Sequence, residues 1–201
     1  MDEPDRKGGQ REQRQQQRRA HILQAARDLF EAEGVAGLSM RAIAKQAGMP
    51  PMTLYSYFPS KTAIVRALWS QAFTPLFAEL EAAEAAETLP SARLRRVAHA
   101  FVDYWLRFPD RYKVVFLIQD RREGEADRWF IEETDVVPEL LRFVRLIAAA
   151  QDDPAGDHTR EAEALICALI GVTHMLVGIP EYRWAGSETY IDLILRAFVR
   201  D

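Results

Sequence analysis

The sequence predicts an all-α fold of about nine helices. Apolar residues recur at i, i+3, i+4 and i+7 along most of the 201 residues, the spacing of helices with one buried face. No stretch shows strand-like alternation or a hairpin signal. Prolines and glycines fall between the periodic segments, where they stop or start helices.

Met1 to about Gln10 is polar and carries Pro4, Gly8 and Gly9, so disorder is expected there. Arg11 to Arg19 is basic, glutamine-rich and made of good helix formers, which extends the first helix outward. Ile22, Leu23, Ala26, Leu29 and Phe30 then form one stripe, and Gly34 and Gly37 close the helix. Met40, Ile43, Ala44 and Ala47 share a face of the second helix. Ser39 stands where its hydroxyl can accept a first-turn N–H, and Gly48 where a left-handed stop is needed. Pro50 and Pro51 open a third helix, since first-turn N–H groups have no helical partner anyway. In it Leu54 and Phe58 point inward, and Met52, Thr53, Tyr55, Ser56 and Tyr57 outward. Pro59 stops that helix and Ser60 caps the next, from Lys61. Leu38, Ile43, Leu54 and Phe58 should complete a small core with the first stripe.

Lys61 to about Glu87 reads as one element with Ile64, Leu68, Leu76 and Leu80 inward, kinked or split at Pro75. Ser91 to Phe108 carries Leu94, Val97, Phe101, Trp105 and Phe108 at helical spacing. Pro109 restarts a helix bearing Tyr112, Val115, Phe116 and Leu117. Asp120 to Gly124 reads as a charged loop, and Trp129 to about Ala150 as a helix bent or interrupted at Pro138. Asp152 to Asp157 is a turn by composition. Thr159 to about Gly178 is an apolar helix. Ser187 to Arg200 is the last, with Tyr190, Ile191, Ile194, Leu195 and Phe198 on one side.

The chain is 48% hydrophobic, which suits one large or two small domains with a core. Its formal charge of −4 argues against a nucleic-acid partner, but the distribution argues for one. Residues 1–65 carry 10 Lys/Arg against 7 Asp/Glu, and residues 66–201 carry 16 against 23. Positive charge thus gathers at the N-terminal end. The lone Cys167 excludes an internal disulfide and reads as a small buried hydrophobe. No apolar run is expected to span a membrane, and the Arg/Gln-rich start is no secretory signal; a cytoplasmic protein without a membrane partner is the expectation. No HExxH or CxxC spacing, glycine-rich phosphate loop or nucleophile–base arrangement is visible. No metal, cofactor or enzymatic activity is therefore expected, and a helical enzyme is the alternative reading.

Ser39 to Lys61 is two short helices around a glycine turn. This is either an ordinary helical hairpin or a helix-turn-helix, whose second helix enters the DNA major groove. The string G-M-P-P-M-T-L-Y-S-Y-F-P-S-K closely resembles the DNA-binding signature of the TetR/AcrR family of bacterial repressors. The flanking ILQAARDLFEAEG and KTAIVRALW look like the helices on either side of it, so the resemblance runs through about the first third of the chain. It implies double-stranded DNA as a partner. By matching position, Pro51, Met52, Ser56 and Tyr57 would face base edges. Ser39, Arg41, Thr53, Tyr55 and Lys61 would contact phosphates, and Met40 and Pro50 belong to the same DNA-binding set. Arg18 and Arg19 are expected near the DNA backbone, with Arg11 and Arg14 either beside them or in a solvated tail. The groove-facing set has no Arg, Asn or Gln, so specificity should lean on apolar contacts and DNA shape.

The runs YWLRFPDRYKVVF and IGVTHMLVGIPEYRWAG are similar to a common ligand-domain type of the same family, with Tyr112 and Phe116 in place and Met175 where a glycine often follows His174. Phe101, Tyr104, Trp105, Phe108, Tyr112, Phe116, Trp129, Phe130 and His174 are the candidates for a small-molecule pocket. Any one of these aromatics is otherwise core. Ile166, Leu169, Ile170, Thr173, Val177, Ile191, Ile194, Leu195 and Phe198 give more apolar face than a small domain needs, and the resemblance implies that this helix pair docks on its copy as a homodimer. The implied layout is a disordered basic arm over 1–15, a helix-turn-helix domain over 16–64 and a ligand-binding and dimerisation domain over 65–201. The implied function is a repressor released from a pseudo-palindromic operator by a small apolar or aromatic effector; an effector-independent DNA-binding protein is the further alternative.

Overall fold

A computed structural model describes residues 3–118 and 136–199. Among them are nine helices and no strand: α1 (Glu3–Gly37), α2 (Met40–Gln46), α3 (Pro51–Tyr57), α4 (Lys61–Ala85), α5 (Pro90–Arg107), α6 (Pro109–Leu117), α7 (Val136–Ala150), α8 (Thr159–Gly178) and α9 (Ser187–Leu195). The chain divides into two compact units, residues 1–70 with 113–127 and residues 71–112 with 128–201. Both α4 and α6 contribute residues to each unit.

In the first unit the expected core is present. Ile22, Leu23, Ala26, Leu29, Phe30, Leu38, Ile43, Leu54 and Phe58 are all buried, joined by Ile64, Val65, Leu68 and Trp69 of α4. Trp69 Nε1 donates to the Val114 carbonyl at 2.8 Å, so its polar edge is satisfied inside that core. α1 begins at Glu3, taking in residues assigned from composition to a disordered arm. The Arg-, Gln- and Glu-rich run favours helix strongly enough that Gly8 and Gly9 do not interrupt it. Gly34, at φ 66°, ψ −160°, breaks the helical path near its end. Only glycine enters that backbone region readily.

In the second unit α5 packs on α7, α8 and α9. Leu94, Val97, Ala98, Val102, Tyr104 and Trp105 of α5 are shut from solvent, as are Leu76, Leu80, Phe143, Ile147, Leu165 and Leu169. Arg142 of α7 is held between Glu139, at 2.6 Å, and Glu84 of α4. The hydrogen bond to Glu139, more than the charge of Glu84, raises its pKa further.

Several boundaries differ from the sequence reading. α4 runs through Pro75 unsplit. α7 is described from Val136 and runs through Pro138 to Ala150. α9 ends at Leu195 rather than near Arg200, and residues 196–198 form a turn. The loop expected over Asp120–Gly124 and the helix start at Trp129 lie outside the described residues. α8 is long and apolar enough to cross a membrane by length and composition, where no such run was expected. Its charges, Arg160, Glu161 and Glu163, crowd into the first turns and leave the rest apolar. Cys167 is exposed, not buried, because α8 turns Ala162, Leu165 and Leu169 inward instead.

Candidate nucleic-acid interface

The helix-turn-helix is built as its local sequence dictates. Ser39 Oγ accepts the Ala42 N–H at 3.2 Å and starts α2. At the other end Gly48 takes φ 61°. The Gly48 N–H reaches the Lys45 carbonyl at 3.1 Å and the Met49 N–H the Ala44 carbonyl at 3.0 Å. These two bonds form a Schellman stop, satisfying two end carbonyls of α2 while turning the chain. Pro51 opens α3 with Pro50 extended before it, and Ser60 Oγ accepts the Ala63 N–H at 3.1 Å to start α4.

α3 is anchored by its inner side alone. Leu54 and Phe58 are buried to 0% and 1% exposure, while Met52 stands 80% exposed and Tyr55 48%. Pro50, Pro51 and Ser56 are exposed, and Thr53 and Tyr57 half-buried. Ser56 Oγ donates back to the Thr53 carbonyl at 2.7 Å, and keeps its lone pairs for an outside donor. Ser39, Arg41 and Lys61 are exposed and Met40 is half-buried. The outward set is thus an apolar and hydroxyl-bearing surface, with positive charge supplied from Arg41 and Lys61 on the neighbouring helices. That chemistry suits contact with thymine methyl groups and phosphates.

Arg18 is exposed on α1. Arg19 is not free in the same way. Its Nη1 donates to the Tyr57 carbonyl at 2.7 Å, and its guanidinium lies 4.1 Å from the centre of the Phe58 ring. The expectation that Arg19 sits at the DNA backbone did not include these contacts within the protein. Sequence reasoning also missed His21, whose Nε2 lies 3.0 Å from the Ala47 carbonyl at the end of α2. A polar side chain beside the buried Ile22 was the available signal for that role.

Residues 22–68 match the family described as bacterial regulatory proteins, tetR family. The chain is 33% identical over 151 residues to the HTH-type transcriptional repressor KstR of Mycolicibacterium smegmatis, covering 75% of this chain and 72% of that protein. The chain belongs to the TetR family. It is a DNA-binding transcriptional regulator of that family, and its homologues are regulators rather than enzymes. It is 30% identical over 102 residues to YobS of Bacillus subtilis, an uncharacterised HTH-type transcriptional regulator, and spans about half (53%) of that relative's length. Among solved structures, SmeT, the repressor of the Stenotrophomonas maltophilia multidrug efflux pump SmeDEF, superposes with a TM-score of 0.69 at 23% identity, over 91% of both chains. SmeT is also known in complex with triclosan, at a TM-score of 0.66, 22% identity and 92% of both chains. At such identities these two show a shared fold.

The pocket candidates separate in the structure. Phe101, Tyr104, Trp105 and Tyr112 are buried and pack edge-on, with ring centres 5.0 Å apart for Tyr104–Trp105, 6.3 Å for Phe101–Trp105 and 6.0 Å for Trp105–Tyr112. They pack against one another within the second unit, because offset aromatic edges interlock at these separations. Phe108 and Phe116 are half-buried, and His174 is exposed with its Nδ1 3.2 Å from the Tyr112 hydroxyl. Burial raises the Tyr112 pKa, which keeps the phenol protonated. Trp129 and Phe130 lie outside the described residues.

The dimer candidates separate too. Leu169, Thr173, Ile191 and Leu195 are buried inside their own unit, which corrects their assignment to a face open to a second chain. Thr173 gives its hydroxyl hydrogen to the Leu169 carbonyl at 2.9 Å. Ile166, Ile170, Val177, Ile194 and Phe198 are half-buried, and Cys167, Met175 and Leu193 exposed. One side of α8 and α9 is therefore core, and the other is accessible and apolar.

Proposed function

We propose that this regulator is a homodimeric repressor that reads a pseudo-palindromic operator with α3 and is released by a small apolar or aromatic effector. The observation that supports groove reading is the two-sidedness of α3: Leu54 and Phe58 are buried while Met52, Tyr55 and Ser56 stand out. Pro50, Pro51 and Met52 lie at the N-terminal end that meets base edges, with Thr53, Tyr55, Ser56 and Tyr57 behind them. Ser39, Met40, Arg41, Lys61 and Arg18 would flank the groove. The helix-turn-helix domain is placed at residues 16–64, behind a basic arm, and the ligand-binding and dimerisation domain at 65–201.

The accessible apolar side of α8 and α9 supports the dimer. Two copies related by a two-fold axis place two α3 helices on successive turns of one DNA face, about 34–36 Å apart or a multiple of it. The effector reading is supported by the triclosan complex of SmeT and by the accessible part of the aromatic set in the second unit, Phe108 and His174. Binding releases DNA only if the effector prefers the state whose α3 spacing does not fit. The dense packing around Trp105 favours a second reading, an effector-independent DNA-binding protein.

The test is selection of bound duplexes from a randomised pool at near-physiological salt. A pseudo-palindrome supports the dimeric reader and supplies the operator for effector screening. No enrichment by folded protein overturns it. Failure of a broad panel of apolar and aromatic compounds to release the selected operator supports the effector-independent reading.

A further inference from the structure

The C-terminal ends of α2 and α3 are both held by a single turn of α1. His21 Nε2 meets the Ala47 carbonyl at 3.0 Å, and Arg19 Nη1 donates to the Tyr57 carbonyl at 2.7 Å. Tyr57 is the last residue of α3, so its carbonyl has no partner within the helix and lies at the negative end of the helix dipole. A guanidinium there satisfies the acceptor and is favoured by the dipole. The same cation stacks 4.1 Å from the centre of the Phe58 ring, on a side chain that is itself 1% exposed. One planar group thus engages the backbone and the side chain of adjacent residues at the end of α3.

The need for such a fixture follows from the size of α3. It has seven residues, one buried side chain within it and no side-chain cap at its start. So short a helix has little stability of its own, and its pose is set by what holds its two ends. Pro50 and Pro51 fix the entry. Arg19 fixes the exit, and Ile22 and Leu23, buried just beyond it on α1, fix Arg19. A change in the exit pose swings Ser56 and Tyr57 relative to the groove.

We propose that Arg19 is a positioning residue for the recognition helix, and thereby a determinant of operator specificity, and that it is not a phosphate contact. This rests on the reading that α3 enters the groove. Lysine keeps the charge but has neither the planar fork nor the flat face for stacking. The two roles therefore respond in opposite ways to Arg19→Lys.

The experiment measures binding of the wild type, Arg19→Lys, Arg19→Gln and Arg18→Gln to the selected operator and to a random duplex, across a series of salt concentrations. For positioning, Arg19→Lys and Arg19→Gln both lose about 10- to 100-fold on the operator. They leave random-duplex affinity and its salt slope near wild type, and Arg18→Gln serves as the charge-only control. Amide shifts of Tyr57 and Phe58 should move in Arg19→Lys while those of α2 stay in place. Restoration of operator binding by Lys, with a slope about one unit shallower in Arg19→Gln on both duplexes, would overturn the proposal. If Arg19→Gln does not fold, Arg19→Lys, which keeps the charge, carries the comparison alone. A wild type that selects no operator defeats the groove reading itself, whereas an operator bound equally by wild type and Arg19→Lys defeats only this inference.

Discussion

Tyr104 donates its hydroxyl hydrogen to the Ala72 carbonyl at 2.5 Å, and receives Arg111 Nη1 on the same oxygen at 2.8 Å. Ala72 lies in the turn of α4 just before Pro75, where the missing proline N–H and the ring disturb the helical bonds. A fully buried tyrosine from α5 braces that turn. Burial raises the Tyr104 pKa, and Arg111 opposes the shift only in part, so the phenol stays a donor. Arg111 lies 4.2 Å from the centre of the Phe108 ring and closes the arrangement. Tyr104→Phe should cost roughly 1–3 kcal/mol, because it strands a buried acceptor and a charged donor. A urea melt that leaves the midpoint unchanged would show that the brace is idle.

Gly48→Ala tests the turn. No heavy atom lies within 4 Å of an added Cβ there, so the penalty is the left-handed backbone alone. It should be about 1–2 kcal/mol, read as a lower denaturation midpoint at constant slope. Gly48→Asn should lose less, since asparagine tolerates that conformation.

Tyr57 and Lys61 separate specificity from charge. Tyr57→Ala should weaken operator binding more than binding to random duplex. Lys61→Gln should weaken both and lower the salt slope by about one unit. Equal losses for Tyr57→Ala on the two duplexes would remove it from the base-reading set.

Residue 158 gives a pH signature. His158 Nδ1 bonds Glu161, and Nε2 lies 2.9 Å from the Asp153 carbonyl; the Glu161 bond, then the Asp153 bond, raise its pKa above the usual 6.5. A raised folded-state pKa gives stability that is full below the unfolded value and fades as pH climbs through the folded one. Asp157 runs the other way. Its pKa is lowered by hydrogen bonds from Thr159, so its contribution holds above the unfolded value and fades as pH falls through the folded one. The Tm gap between wild type and His158→Gln should be widest near about pH 5 and narrow toward about pH 8. A gap independent of pH would mean that folding leaves the pKa of this imidazole unshifted.

Ile170→Glu tests the apolar side of α8, where the residue is half-buried. A buried carboxylate without a partner opposes association. The variant should sediment as a single chain and lose the palindrome, while its own helical content is kept.

Legibility followed the range of the interactions. Ser39, Gly48, Pro51 and Ser60 act on backbone groups within three or four residues, so their roles could be read directly. The stripe from Ile22 to Phe30 was equally plain, since periodicity alone decides which side of a helix is greasy. That α4 is not split at Pro75 could not be read locally, because Tyr104, which bonds the turn before it, comes from another helix. The contacts of Arg19 could not be read because its partners, Tyr57 and Phe58, lie 38 and 39 positions away, and an arginine in a basic run looks the same whether it meets a phosphate or a carbonyl. The aromatic set was legible as a set, but its composition fits packed rings and pocket walls alike.

The sequence by itself determined the helices, the helix-turn-helix and its outward side, and the family, because each rests on local backbone chemistry or on a continuous pattern. Only the tertiary structure decided that Trp105 and Tyr112 are core, that Leu169 and Ile191 face inward while Ile170 and Cys167 do not, and that Arg19 braces α3. Those outcomes depend on which side chains from distant helices arrive at the same place, and burial or a hydrogen-bond partner is a property of that meeting rather than of either residue alone.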